Sequence, residues 1–278
     1  MRVEVSPGFA LNVELAGSGP PLVLLHGFTG SARSWGRFGE LLAERFTTLA
    51  IDVVGHGQSD APTELVHYGM ATAAGDVSTV IERLGFARAN WLGYSMGGRL
   101  ALHVATAHPD RVERLALVGA SAGLRTQAER DARVASDAKL VEMIESEGIE
   151  AFTDYWESIP LFASQRGLPA EVRASIRAGR LRNSPVGLAN SLRGMGTGAQ
   201  QALHDLLPIL PMPVLALAGA LDAKYTEIAI EMADAIPSAR SVIIPEAGHA
   251  AQIEQPERCA ATIIEFLSNP TTTAGVTP

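Results

Sequence analysis

Five consecutive residues carry the strongest chemical signal in this chain: Gly93-Tyr94-Ser95-Met96-Gly97. A G-x-S-x-G run puts its serine on a tight, strained turn, and the flanking glycines let the neighbouring backbone close in. Here it follows the apolar pair Trp91-Leu92 and opens a helical pattern, the context in which such a serine is exposed and reactive. A hydroxyl is a weak nucleophile and a weak base. It needs a histidine to take its proton and a carboxylate to orient that histidine. Seven histidines compete for the first role. Arg99 stands four residues after Ser95, one helical turn on and on the same side. It reads either as a salt-bridge residue or as an anion clamp, because a planar guanidinium binds carboxylates bidentately.

These residues must be held by a scaffold, and the hydrophobic pattern indicates which. Short apolar runs alternate with helical periodicity, the signature of parallel βαβ units. Arg2–Val5 and Leu11–Leu15 read as an opening strand pair, and Pro21–Leu25 as a strand buried on both faces. Ser34–Phe46 reads as a helix, Thr47–Ile51 as a strand, and Ala71–Leu84 as a helix ended by Gly85. Ala89–Gly93 (strand), Met96–Ala107 (helix) and Val112–Val118 (strand) follow. The alternation then stops, and residues 123–205 read as successive helices. It resumes with strands at Pro213–Ala218 and Ser241–Ile244 and helices at Thr226–Ala235 and Pro256–Leu267. The expected organisation is an α/β core from 1–122 and 206–268, a helical cap over 123–205, and a Thr/Gly/Pro-rich, disordered tail over 269–278.

An elbow serine within such a core resembles the α/β-hydrolase fold: a mostly parallel central sheet flanked by helices, here with an inserted helical cap. In that fold the reactive groups follow the chain order serine, acid, histidine. His249, in Gly248-His249 after the last strand, is the one late histidine, and Asp222 sits at the end of the strand Val214–Ala218. Asp205 and Asp234 fall in or near helical segments and fit less well. The fold takes an oxyanion-hole N–H from the loop after an earlier strand, here His26-Gly27-Phe28-Thr29-Gly30. The donors would then be the backbone amides of Phe28 and Met96. His26 and His56 read as turn-shaping residues.

Further stretches narrow the resemblance. Leu24–Ser31 with Trp35, and Gly93–Leu102, are similar to the menaquinone-pathway 2-succinyl-6-hydroxy-2,4-cyclohexadiene-1-carboxylate synthases. So are three cap stretches: Asp154-Tyr155-Trp156-Glu157 with Pro160-Leu161-Phe162, Arg177 through Leu181, and Ser191 through Gln200. Enzymes of that family eliminate pyruvate from an enolpyruvyl cyclohexene dicarboxylate that bears a succinyl arm. The resemblance implies that Tyr94, Arg99, Arg133, Trp156 and Arg177 line the substrate site. Arg180 and Arg182 crowd Arg177, so the choice among the three stays open. It also implies that Ser95, with His249 and Asp222, removes a ring proton without forming an acyl-enzyme. The chain departs from the family at Gly219-Ala220-Leu221-Asp222, which lacks the usual Gly-Glu, and at Gln252, where many relatives carry a second histidine.

Composition agrees with a small anionic substrate. The 278 residues carry a net charge of −8, which argues against a nucleic-acid surface. Yet between Val172 and His204 there are five arginines and no Asp or Glu, a basic stretch suited to a polycarboxylate. The single Cys259 forms no internal disulfide and reads as a small core residue. No Cys/His spacing suggests a metal, and no cofactor is implied. No apolar run nears the roughly 20 residues of a membrane span, and the N-terminus has no signal-peptide pattern, so a cytoplasmic location is expected. Oligomeric state is not encoded in any motif. Besides the lyase, a serine hydrolase acting on esters or C–C bonds could use the same three residues. A non-catalytic scaffold fits less well, because all three are present.

Overall fold

A computed structural model of the chain describes residues 1–268, so the disorder expected of residues 269–278 lies outside the described residues. The strands are β1 (Arg2–Ser6), β2 (Phe9–Ala16), β3 (Pro21–Leu25), β4 (Thr47–Ile51), β5 (Ala89–Tyr94), β6 (Val112–Val118), β7 (Val214–Gly219) and β8 (Ala239–Ile244). They form one sheet in the order β1-β2-β4-β3-β5-β6-β7-β8. β2 runs antiparallel to β1 and β4, and every pairing from β4 to β8 is parallel. This is the mostly parallel sheet that the alternation of strands and helices predicts.

Successive strand side chains point to opposite faces, and the core divides accordingly. Val23, Leu25, Trp91, Leu115 and Val214 pack on one face, with helices α2 (Met70–Arg83) and α3 (Met96–Ala107). Leu22, Leu24, Leu92, Ala116 and Leu215 pack on the other, with α1 (Gly36–Ala43) and the C-terminal helix over Pro256–Ser268. Cys259 belongs to this second layer, where burial pushes its thiol up to about 12. The helix expected over Ser34–Phe46 is split. Gly36 adopts φ 43°, so a 3-10 turn (Ala32–Trp35) precedes α1.

Between β6 and β7 the described residues form helices but no strand. They are α4 (Gln127–Ser146), α5 (Gly148–Ser158), a 3-10 segment (Pro160–Gly167), α6 (Ala170–Leu181), α7 (Pro185–Met195) and a second 3-10 segment (His204–Ile209). Local chemistry starts them cleanly. Thr126 and Glu129 form a capping box at α4, and Ser184 caps α7 just before Pro185. These helices bury a small core of their own, including Val141, Ile144, Phe152, Leu188 and Leu192. They are tied to the sheet loops, since Asn183 Nδ2 donates to the Thr29 carbonyl at 2.8 Å. After β7 come α8 (Ala223–Ala235), the short α9 (Ala251–Glu254) and α10 (Pro256–Ser268). No helix among the described residues is long and apolar enough to cross a membrane.

Candidate active site

Ser95 lies between β5 and α3 at φ 51°, ψ −110°, a strained conformation for a residue with a Cβ. The flanking glycines are needed sterically. A Cβ on Gly97 would sit 2.0 Å from the Leu25 carbonyl oxygen, and one on Gly93 would sit 2.3 Å from that of Gly97. Helix α3 therefore reaches the sheet only because no side chain intervenes. The turn lifts Ser95 Oγ to 3.0 Å from His249 Nε2, and His249 Nδ1 stands 2.8 Å from Asp222 Oδ2. The carboxylate takes the Nδ1–H, which leaves Nε2 free to accept the serine proton. Asp222 is itself fixed as the N-cap of α8, where its Oδ1 accepts the Tyr225 N–H at 3.2 Å. His249 is almost fully buried, so this chain of hydrogen bonds is shielded from solvent.

Met96 begins α3, where the first N–H groups have no intrahelical acceptor, and Phe28 lies in the loop after β3. Neither amide is used in a described turn or loop hydrogen bond. His26 shapes the Phe28 loop. Its Nε2 accepts the Val53 N–H at 3.0 Å, so Nδ1 carries the proton and donates to the Gly27 carbonyl at 2.8 Å. Burial lowers the pKa of His26 and drives that of His56 down to about 3, so both rings stay neutral.

The aromatic residues enclose this centre. Tyr94, Tyr225 and Phe162 have ring centroids 5.5, 4.5 and 6.2 Å from the His249 ring. Phe162 departs from helical geometry within its 3-10 segment, at φ −110° and ψ 15°. Trp156 stands edge-on to Phe28 at 5.5 Å, and its buried Nε1 has no hydrogen-bond partner among the described residues. Gly27 makes room for Tyr94, because a Cβ there would meet that ring at 2.7 Å. Burial holds the Tyr94 and Tyr225 hydroxyls above the usual phenol range, that is, protonated.

Two arginines converge near Tyr225. Arg99 is buried, and its guanidinium donates to Gln200 Oε1; desolvation lowers its pKa to about 10, so it remains a cation. Arg133 is held by Asp137, one turn along α4, at 2.7 Å. Both lie close enough to the Tyr225 hydroxyl to favour its anion electrostatically.

Arg177 does not join them. It is 38% exposed and is occupied by Asp154 at 2.7 Å and Glu157 at 3.1 Å. The cavity is reached instead by Arg180, whose side chain is 8% exposed. Arg180 lies over the Phe162 ring at 5.2 Å and pairs with Glu157 at 3.0 Å. The difference between Arg177 and Arg180 has a simple helical cause. Val172 and Ile176 mark the inward stripe of α6, and the next position at i+4 spacing is Arg180, whereas Arg177 is rotated about 100° from Ile176.

A cavity of about 530 Å³ opens beside the elbow, with Phe28, Tyr94, Phe162, Arg180, Arg182 and Gln252 in its wall. Ser95 and His249 adjoin it through Tyr94 rather than forming its wall. Gln252 contributes a buried Oε1 with no described partner. Sequence reasoning did not name Tyr225, and it named Phe162 and Gln200 only within the cap stretches that carry the resemblance, with no role at the site. Only Tyr225 had a local signal, three residues after Asp222 in the first turn of α8. Among the described residues no group of three or more His, Cys, Asp or Glu side chains is placed to hold a metal ion. The arrangement can move a proton from Ser95 to His249 and can hold negative charge.

Comparison with known proteins gives the fold family and its relatives. The family model for the alpha/beta hydrolase fold matches residues 20–256. A Bacillus subtilis (strain 168) protein, provisionally named 2-succinyl-6-hydroxy-2,4-cyclohexadiene-1-carboxylate synthase, is 41% identical over 97% of this chain and 98% of its own length. The solved structure of MenH from S. aureus superposes with a TM-score of 0.87 at 31% identity, over 92% of this chain and 97% of that one. A thermophilic esterase from Thermogutta terrifontis, solved with malate bound, gives 0.84 at 30% identity, over 96% and 98%.

Proposed function

The chain belongs to the alpha/beta hydrolase fold family and, within it, to the 2-succinyl-6-hydroxy-2,4-cyclohexadiene-1-carboxylate synthases, and from that membership we propose that it is the pyruvate-eliminating lyase of menaquinone biosynthesis. The substrate is 2-succinyl-5-enolpyruvyl-6-hydroxy-3-cyclohexene-1-carboxylate, a tricarboxylate. The observation that carries the reading is Arg180, a buried guanidinium in the cavity wall beside Tyr94, close to the hydrogen-bonded Ser95, His249 and Asp222. Glu157 is shared between Arg180 and Arg177, so one carboxylate faces two guanidiniums, which supports a role for Arg180 in holding an anionic substrate.

The helical segment between β6 and β7 acts as a cap that closes this cavity over the sheet. In the step proposed, Ser95 Oγ takes a proton from the ring carbon as its own proton passes to His249 Nε2. Asp222 stabilises the imidazolium that forms. The electron pair released from the C2–H bond forms a C2=C3 double bond, the C3=C4 pair shifts to C4=C5, and the C5–O bond to the enolpyruvyl group breaks. The departing enolate is protonated on carbon, with His249 as the proton's source, and leaves as pyruvate. One proton is removed and one returned, so the enzyme is unchanged and no ester to Ser95 forms. The Phe28 and Met96 amides bind oxygen that gains negative charge, and Arg99, Arg133 and Arg180 hold the carboxylates.

The test is to supply the enolpyruvyl substrate to the purified protein and follow pyruvate. Pyruvate release that disappears in Ser95→Ala is expected. Brisk cleavage of a neutral aryl ester with no pyruvate release would instead mark a serine hydrolase and sink the lyase reading.

A further inference from the structure

A second pocket, of about 330 Å³, lies on the outer side of the helical segment, between the Pro160–Gly167 turn and α6. Four of its residues, Phe162, Gln165, Ile176 and Arg180, also line the 530 Å³ cavity beside the elbow. Those side chains are therefore the partition between the two spaces. Arg180 spans the partition, since it pairs with Glu157 in the outer pocket and stands with Tyr94 in the wall of the inner cavity.

The outer pocket is strongly basic. Arg166, Arg173, Arg177 and Arg180 stand in its wall against one carboxylate, Glu157. Glu157 is already shared by Arg177 and Arg180, and Arg177 also holds Asp154. Arg166 and Arg173 are exposed and have no carboxylate partner among the described residues. In a chain of net charge −8, two uncompensated guanidiniums at the mouth of a pocket backing onto the reaction cavity form a local positive funnel.

We propose that this outer pocket is a second carboxylate-binding site, which captures the incoming anionic substrate and passes it to the reaction cavity across the Phe162–Gln165–Ile176–Arg180 wall. The inference rests on the reading above that the substrate is a polycarboxylate. Arg180 belongs to both spaces. A carboxylate that first displaces Glu157 from Arg180 on the outer side meets the same guanidinium again once inside. Arg166 and Arg173 touch no group at the elbow, so their contribution is to capture and not to chemistry.

The experiment compares the native protein with two double variants, Arg166→Gln with Arg173→Gln and Arg166→Lys with Arg173→Lys. Pyruvate release is measured in roughly 0.01 M and roughly 1 M salt, where charges are screened over ~30 Å and ~3 Å. At low salt the glutamine pair should lose roughly 3- to 10-fold in kcat/KM, with kcat changed far less. The loss should shrink at high salt, and the lysine pair should keep most of the native value. Equal kcat/KM for all three proteins at low salt would overturn the site. So would a loss that persists undiminished at high salt, which would mark a structural defect. If the native protein releases no pyruvate, the lyase reading has failed separately. The site is then judged on aryl hemisuccinate against neutral aryl butyrate cleavage, where only the anionic ester should show the salt-dependent loss, and equal behaviour of the two overturns it.

Discussion

The placement of Arg180 inside the cavity and Arg177 outside it makes a quantitative prediction from one helix. Each is replaced by glutamine, which keeps length and polarity and removes the charge. Arg180 is 8% exposed, so a substrate carboxylate bound there forms charge-assisted hydrogen bonds away from water. Such bonds contribute about 1.5–3 kcal/mol. At about 1.4 kcal/mol per factor of ten, Arg180→Gln should cost roughly 10- to 150-fold in kcat/KM for pyruvate release. Arg177 is 38% exposed and already engaged by Asp154 and Glu157. Ion pairs of that kind contribute about 0–1 kcal/mol, so Arg177→Gln should cost no more than about 5-fold, and that loss should fade with salt. Stability does not confound the comparison. Arg180→Gln leaves Glu157 paired with Arg177 at 3.1 Å, so no carboxylate is stranded, and a urea midpoint checks that the variant is folded. A larger loss in Arg177→Gln than in Arg180→Gln, at either salt concentration, would refute the placement and restore Arg177 as the substrate ligand.

Three shorter predictions concern the elbow, the second arginine and the buried histidines. Gly97→Ala should destabilise the fold by roughly 2–4 kcal/mol, because its Cβ would lie 2.0 Å from the Leu25 carbonyl oxygen; a urea-denaturation change below about 0.5 kcal/mol would contradict the close packing of α3 on β3. Arg99→Ala should lower kcat/KM for the anionic substrate at least about tenfold more than for a neutral ester, and equal losses on the two substrates would give Arg99 a purely structural role. His56 is buried neutral with its pKa lowered to about 3, whereas the unfolded chain protonates it near 6.5. Between those values the unfolded state binds the extra proton, so stability is complete above about pH 6.5 and falls toward pH 3, by up to about 1.4 kcal/mol per pH unit. The urea midpoint of His56→Gln should depend less on pH across that window than the native one; identical slopes would show that His56 is not buried neutral.

Much of the scaffold was legible because its signals are short-range. The runs Thr47–Ile51, Met96–Ala107 and Val112–Val118 coincide with β4, α3 and β6, since continuous apolar runs and helical periodicity each admit one arrangement in a two-sided parallel sheet. The elbow was legible for the same reason, because Gly93 and Gly97 state locally that backbone must pass where a Cβ would not fit. The geometry among Ser95, Asp222 and His249 is a different matter. It joins residues 154 and 27 positions apart, and only chain order within a known fold pointed to it. The contacts of two residues quoted only for the resemblance are also long-range: Gln200 reaches Arg99 across 101 positions, and Phe162 is brought to His249 by a kink that no residue type signals.

The choice among Arg177, Arg180 and Arg182, left open by the sequence, shows what helical physics adds to family resemblance. The resemblance directed attention to Arg177 in a crowd of three guanidiniums, and nothing in their identity separates them. Periodicity does separate them. α6 is amphipathic, and its partly buried Val172 and Ile176 fix which direction is inward, so Arg180 falls on the cavity side and Arg177 beside it. The acid-free stretch from Val172 to His204 then divides by direction as well as by sequence. Arg180 turns in toward Tyr94, Arg173 and Arg177 line the outer pocket, and Arg182 faces the inner cavity. A helix with cations on two faces, set between two cavities, makes sense if the anion it serves must be both captured and held. Neutralising the outer face should therefore alter how often substrate arrives, and neutralising the inner one how well it is gripped.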